Sequence, residues 1–327
     1  MSTDIAVDAD LGTLEQYRIE LAGYCYRMLG STFDADDAVQ ETLVRAWRGW
    51  DSFEGRSAVR SWLYRIATNV CLDMLRSRQR RALPMDLSSP VPATTPVGEP
   101  LPESVWVEPM PDGAVVPVTS DPADRAVLRD SIRLAFVSAL QNLPPRQRAV
   151  LILREVLCWQ ASEVAELLDT TVASVNSALQ RARATLAESA PAPTEAKPAD
   201  ALGDRERELL AKYVDAFERY DIDTLVTLLH DDASISMPPL ALWLRGRDDL
   251  YHWYLGTGIG CKGSRLLPTI ANGYPAFGQY RVNHDGPGHV PWSLQVIEID
   301  GDRIGHVHHF LDTSLFARFG LPLSLPD

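Results

Sequence analysis

Ten prolines lie between Pro84 and Pro122. Each fixes φ and removes a backbone donor, so neither a continuous helix nor a central strand can cross that stretch. A second, shorter break, APAPTEAKPADA over residues 190–201, has the composition of a linker. The 327-residue chain is also too long for one ordinary core. The expected organisation is three folded blocks, residues 11–83, 125–189 and 203–327, joined by linkers over 84–124 and 190–202.

The formal net charge is −13, which taken whole argues against a nucleic-acid binder. The charge is not even, however. Residues 1–55 carry −7, residues 56–84 carry +6, residues 85–124 carry −7, residues 125–190 carry +2 and residues 191–327 carry −7. Blocks of this kind mark domains and faces. No apolar run of about 18 residues is present, so no membrane span is expected. Met1–Asp10 holds three acids and no Lys or Arg, unlike a signal peptide. The four cysteines are far apart with no CxxC pair, which speaks against a zinc site or a disulfide framework. The cytoplasm is the expected compartment, and neither cofactor nor metal is expected.

The first block reads as helices. Leu14, Tyr17, Leu21, Tyr24, Cys25 and Met28 recur at helical spacing, as do Val39, Leu43, Ala46, Trp47 and Trp50. Asp34 is a candidate N-cap for the second helix. A third run, with Val59, Trp62, Leu63, Ile66 and Val70 apolar, continues into Arg76, Arg78, Arg80 and Arg81. The second block reads as a helix-turn-helix: Ala161–Leu168, a turn over Asp169–Thr171, then Val172–Leu186. Val172, Val175, Leu179, Ala182 and Leu186 make the buried stripe of the longer helix. Asn176, Ser177, Gln180 and Arg181 occupy another face, and these side-chain types read base edges and phosphates. The third block places helices at Arg205–Phe217, Asp223–Leu229 and Arg247–Leu255 among strands near 233–237, 276–282, 290–299 and 304–311, an α+β pattern.

Three runs carry a family resemblance. DADDAVQETLVRAW (Asp34–Trp47) and SWLYRIATNVCLDMLRSRQRR (Ser61–Arg81) resemble region 2 of bacterial sigma factors, and Leu143–Leu186 resembles region 4. Both occur in order without a region 3, as in the extracytoplasmic-function (ECF) group. The last block resembles the SnoaL-like fold, a cone with an interior pocket. The expected fold is thus multi-domain, with two all-α sigma domains (a region 2 helical bundle and a region 4 helix-turn-helix) and a C-terminal α+β SnoaL-like cone.

The resemblance implies partners and roles. Asp36, Asp37, Gln40 and Glu41 match the motif that docks on core RNA polymerase. Arg60, Trp62, Asn69, Asp73, Arg76 and Arg80 match the helix that reaches the minus-10 element of promoter DNA. Ser174, Asn176, Ser177, Gln180, Arg181 and Arg183 match the minus-35 reader, although Asn176 and Ala178 stand where many ECF members place a basic residue. The acidic, Pro-rich segment is expected to be an extended strap, with Trp106 docking on a partner or another domain. No catalytic residue is expected, and His306, His308 and His309 read as core or interface residues. Two alternatives stay open at this point. One is a stand-alone helix-turn-helix regulator. The other is an enzyme that processes a small molecule in the cone, and the cone's interior leaves room for an unidentified small-molecule ligand.

Overall fold

The computed structural model describes residues 12–53, 58–76, 79–117, 121–189 and 199–326. Arg78 and most of the second linker lie outside the described residues. The chain forms two compact units, one of residues 1–81 and 107–191, the other of residues 82–106 and 192–327.

The first unit is all α. Helices α1 (Arg18–Leu29), α2 (Thr32–Gly49) and α3 (Val59–Leu75) form a bundle around Leu21, Tyr24, Cys25, Met28, Ala35, Val39, Leu63, Ala67 and Cys71, all buried. The α2 cap is not Asp34 but Ser31, whose hydroxyl accepts from the Asp34 amide at 3.1 Å. Ser31 is extended, so its short side chain reaches the third helical amide; Asp34 is already inside the helix. Trp47 is another departure: it is 48% exposed. Helical period assigns it a face, but among the described residues no neighbour covers that face.

The remainder of this unit comprises α4 (Pro122–Asp130), α5 (Leu134–Gln141), α6 (Pro145–Leu151) with a π-helical turn at Ile152–Val156, α7 (Ala161–Leu167) and α8 (Val172–Ser189). Helices α7 and α8 are the expected helix-turn-helix. Asp169 in the turn has φ +50°, a left-handed conformation that Asp tolerates better than most side chains. Val175, Leu179 and Ala182 are buried as the stripe requires, but Val172 is 43% exposed because it opens the helix, beyond the packed turns.

The Pro-rich segment is not a plain strap. Residues 107–116 pack on the bundle. Tyr26 Oη donates to the Glu108 carbonyl at 2.7 Å, and the Glu108 amide donates to Gly30 O at 3.0 Å. The Glu108 carboxylate accepts from Ser31 Oγ at 2.6 Å and the Thr32 amide at 3.1 Å, at the positive end of α2. Arg81 joins it to Asp34, lying 3.4 Å from Glu108 and 2.6 Å from Asp34. A Cβ on Gly23 would stand 2.7 Å from Val115 O, so only glycine lets this segment lie against α1.

The second unit is α+β. Helices α9 (Asp204–Arg219), α10 (Ile222–Thr227) and α11 (Arg247–Leu255) pack on a six-stranded sheet. Its strands are β1 (Leu229–Ser236), β2 (Trp243–Arg245), β3 (Arg265–Ala271), β4 (Tyr274–Val282), β5 (His289–Asp300) and β6 (Arg303–Phe310), in the order β2-β1-β6-β5-β4-β3. The β1–β6 pair is parallel and the rest antiparallel, so the sheet is mixed. Strand β3, absent from the sequence-based expectation, contains Pro268; at the sheet's edge the missing amide costs no ladder bond.

Residues 82–106 belong to this unit. The Val91 amide donates to Trp243 O at 3.0 Å, Trp243 Nε1 donates to Ser88 O at 2.9 Å, and the Leu101 amide donates to Pro239 O at 2.9 Å. Trp106 bridges to Ala82 and is 3% exposed. Trp253 lies in the core, whereas Trp243 and Trp292 are half-buried at its margin.

Candidate nucleic-acid interface

Three polar faces stand out on the first unit. On α2, Asp37, Gln40 and Glu41 are exposed and Asp36 is half-buried. Asp37, Gln40 and Glu41, together with Val44, Arg45, Val70, Asp73 and Met74, line a groove between α2 and α3, and Asp36 stands outside that lining. Trp47 stands seven residues beyond Gln40 on the same helix face. A large apolar side chain left in water beside acids and amides suits a protein partner. Sequence reasoning placed Trp47 in the core; the sign that would have found it is this seven-residue spacing from Gln40.

The expected minus-10 residues divide. Trp62, Asn69, Asp73 and Arg76 recur at intervals of 7, 4 and 3 along α3, which makes one stripe. Asn69, Asp73 and Arg76 are exposed, and so is Arg80 just past the helix. Asp73 lies 3.2 Å from Arg76 and 3.9 Å from Arg45, so it adjoins the α2 groove as well. Arg60 is not on this stripe. It is ion-paired with Glu20, and its guanidinium lies over the rings of Tyr64 and Trp159 at 5.3 and 5.4 Å. An aromatic group missed as a unit sits at the start of the stripe: Trp62 lies 4.9 Å from Phe53 and 6.1 Å from Trp50, centroid to centroid. Trp50 and Phe53 stack on each other and Trp62 tilts against both, an aromatic platform of the type that accepts an unstacked base.

On α8, Ser174, Asn176, Ser177, Gln180, Arg181 and Arg183 are all exposed. Asn176, Ser177, Gln180 and Arg181 share a face. Ser174 is engaged in the helix cap, with its amide donating to Thr171 Oγ1 at 3.1 Å and the two hydroxyls 3.0 Å apart. Arg183 is paired with Glu155 at 2.6 Å. Thr171 is therefore the residue that fixes where this helix begins.

The first unit matches two family models, Sigma-70 region 2 over residues 13–81 and Sigma-70, region 4 over residues 133–186. The chain is 46% identical to the ECF RNA polymerase sigma factor SigG of Mycobacterium tuberculosis (strain H37Rv), across 95% of this chain and 83% of that protein. The chain belongs to the ECF sigma factors. It is also 30% identical to the ECF sigma factor SigJ of the same organism, across 80% of this chain and 78% of that one. The crystal structure of Mycobacterium tuberculosis SigJ superposes with a TM-score of 0.60 at 23% identity, covering 95% of this chain and 99% of that chain. That likeness extends the shared fold through the C-terminal unit. As an ECF sigma factor the chain binds core RNA polymerase and directs transcription initiation at promoter DNA, and the stand-alone regulator is not favoured.

The cone carries two polar clusters. Inside, Tyr213 Oη donates to Gln295 Oε1 at 2.8 Å, Gln295 Nε2 donates to Gln279 Oε1 at 3.0 Å, Ser293 Oγ donates to the same oxygen at 2.8 Å, and Gln279 Nε2 donates to Ser264 Oγ at 3.0 Å. His309 pairs in register with Gln295, so it shares this face. On the opposite face His306 and His308 lie 3.9 Å apart between centroids, bonded to Ser234 and Ser236 of β1, with Glu298 3.4 Å from His308. Burial, followed by the neighbouring His308, pushes the His306 imidazole well below its ordinary pKa, and burial pushes His308 and His309 down to about 3. All three are neutral at pH 7. Among the described residues no group of three His, Cys, Asp or Glu could hold a metal ion, and no helix is long and apolar enough to cross a membrane.

Proposed function

We propose that the three faces divide the work of initiation. Asp36, Asp37, Gln40 and Glu41, with Trp47, dock on core polymerase. Trp62, Asn69, Asp73, Arg76 and Arg80, with Arg60 once it is released, engage the minus-10 element. Asn176, Ser177, Gln180 and Arg181, backed by Ser174 and Arg183, read the minus-35 element. The observation that carries this reading is the exposed α3 stripe, which begins at an aromatic cluster and ends in cations. Such a surface holds a separated strand by stacking and phosphate attraction, and so favours the open duplex without chemistry. The linkers at 84–124 and 190–202 separate regions 2 and 4 and the C-terminal regulatory unit, and the factor works in the cytoplasm, where polymerase acts.

The C-terminal unit modulates rather than catalyses. Tyr213, Gln279, Ser293 and Gln295 bond to one another, and the bonds of His306 and His308 to Ser234 and Ser236 tie β6 to β1, which supports a structural use of these groups. The test is run-off transcription with purified core polymerase across candidate promoters. Promoter-specific transcripts are expected. No transcript from any promoter, together with no binding to core polymerase, refutes the reading. Removal of residues 203–327 should change transcript yield; an unchanged yield and polymerase affinity remove the modulating role.

A further inference from the structure

A recess of about 200 Å³ is bounded by Leu29 at the end of α1, Leu75 at the end of α3, residues 79–81, and the segment from residue 141 to residue 148. Part of its lining is apolar, with Leu29, Leu75, Leu143 and Pro145. The charged part is Asp34 against Arg80, Arg81 and Arg148, a net charge of +2. Asp34 is already engaged by Arg81 at 2.6 Å. Arg148 is 3% exposed, and its guanidinium donates to neutral oxygens: Met28 O, Gln141 Oε1 at 2.6 Å, and Gln141 O and Leu143 O at 3.1 Å each. Its Nε has no partner among the described residues. A buried cation that meets only carbonyl dipoles keeps part of its desolvation cost. Burial pushes the Arg148 guanidinium down to about 10, and the charge of Arg80 pushes the same way. Arg148 is thus still a cation at pH 7, next to a like charge. Arg80 and Gln79 are exposed, and neither bonds to another described residue.

Two guanidinium groups at one cavity repel, and an anion between them turns that repulsion into attraction. Guanidinium forks match phosphate oxygens two at a time. A net +2 suits a phosphate monoester, which carries nearly two negative charges at pH 7, better than a single carboxylate. A nucleic-acid backbone carries one charge per phosphate, and its bulk cannot follow Arg148 into the recess. The volume lies below that of drug-sized sites, so the occupant is small, and the leucines offer it an apolar contact. We infer that the recess binds a small phosphorylated molecule, with its phosphoryl group on Arg80 and Gln79 in the field of Arg148 and its carbon skeleton against Leu75 and Leu143. The site goes beyond the assignment of Arg80 to the minus-10 element and stands without it.

The test titrates the purified full chain with inorganic phosphate, pyrophosphate and AMP by calorimetry at constant ionic strength. AMP should bind saturably at one site per chain, about threefold or more tighter than inorganic phosphate, because only AMP reaches the apolar lining. Arg80→Gln should weaken AMP about tenfold or more, the loss of a charge-assisted hydrogen bond. Arg146→Gln removes an exposed arginine outside the recess and should leave the affinity within about twofold. Leu75→Glu should abolish binding by setting a carboxylate in the lining, and Leu75→Met should preserve it. Both positions 75 and 80 lie at or beyond a helix end, and an unchanged far-ultraviolet spectrum checks that each variant is folded. No saturable binding of any of the three probes overturns the inference. Equal weakening by Arg80→Gln and Arg146→Gln also overturns it, since that marks attraction to net charge alone. Binding of a single-stranded oligonucleotide without binding of AMP would assign the cations to DNA and overturn it as well.

Discussion

The two units bury polar groups in opposite ways. In the sigma unit the buried arginines Arg27 and Arg148 hold carbonyls at helix ends distant in sequence, Leu128 O and Met28 O, while Arg148 also holds Gln141 O and Leu143 O close by in its own region. In the cone, Tyr213, Gln295, Gln279, Ser293 and Ser264 hold one another within a single core. The first arrangement joins segments far apart in the chain through helix ends. The second closes on itself. A closed neutral network fixes one packing, whereas cations on helix ends join pieces that can separate. Burial alone would not tell them apart.

The sharpest way to break this contrast is to remove one polar group from each. Gln279→Leu leaves Ser293, Gln295 and Ser264 short of partners in the cone, and should cost about 2–5 kcal/mol in chemical denaturation of the full chain. Arg148→Met should cost less than about 2 kcal/mol, because its orphaned carbonyls find water as the regions part, and it should instead enlarge the particle in small-angle scattering. Equal losses from both substitutions would remove the distinction. Next in size is Glu108→Ala, which strips a carboxylate from the α2 N-terminus and from Arg81. A loss of about 1–3 kcal/mol is expected, read as a lower denaturation midpoint with no change in the cone's own transition.

Acid should separate the units again. The imidazoles of half-buried His306 and of buried His308 and His309 have folded pKa values below the unfolded value of about 6.5, with His308 and His309 at about 3 through burial. Between those limits the unfolded chain binds more protons, so the cone loses stability as pH falls from about 6.5 toward 3. The slope is at most about 1.4 kcal/mol per pH unit for each ring. Glu298 near His308, and Asp86, whose charge acts on the same ring, favour the protonated form and soften the loss. Thermal melts of His308→Gln against the native chain should show a shallower decline over that range. A slope unchanged by the substitution would mean that His308 takes up no extra proton on unfolding.

Much of this was legible from spacing, and what escaped was non-local. The 3.6-residue period located the faces of α1, α3 and α8, since a helix repeats its face whatever it packs against. The period could not say whether a partner covers a face, which is why Trp47 and Val172 were assigned to cores they do not join. Strand β2 is three residues long and β3 carries Pro268, so neither gave a strand signal. The parallel β1–β6 pair joins segments separated by some 70 residues, with Ser234 beside His306, and no local pattern encodes it. The same holds for Glu108, whose partner Ser31 is 77 residues away, and for Arg60. The motif placed Arg60 on DNA, but only the packing reveals Trp159 over it.

The smallest expected effect tests whether α8 is free to read DNA while the arginines hold its neighbours. Arg183 pairs with Glu155 on the surface, and an exposed pair of this kind contributes about 0.2–1 kcal/mol to folding. Arg183→Ala should therefore leave the denaturation midpoint almost unchanged. If Arg183 exchanges Glu155 for a phosphate, the same substitution should weaken promoter binding by the polymerase–factor complex alike at every base identity, and reduce the log–log salt slope by about 1. Gln180→Ala should do the reverse, leaving the salt slope intact while relaxing preference at one or two minus-35 positions. A salt slope insensitive to Arg183 would make the Glu155 pair purely structural, and would confine minus-35 recognition to Asn176, Ser177, Gln180 and Arg181.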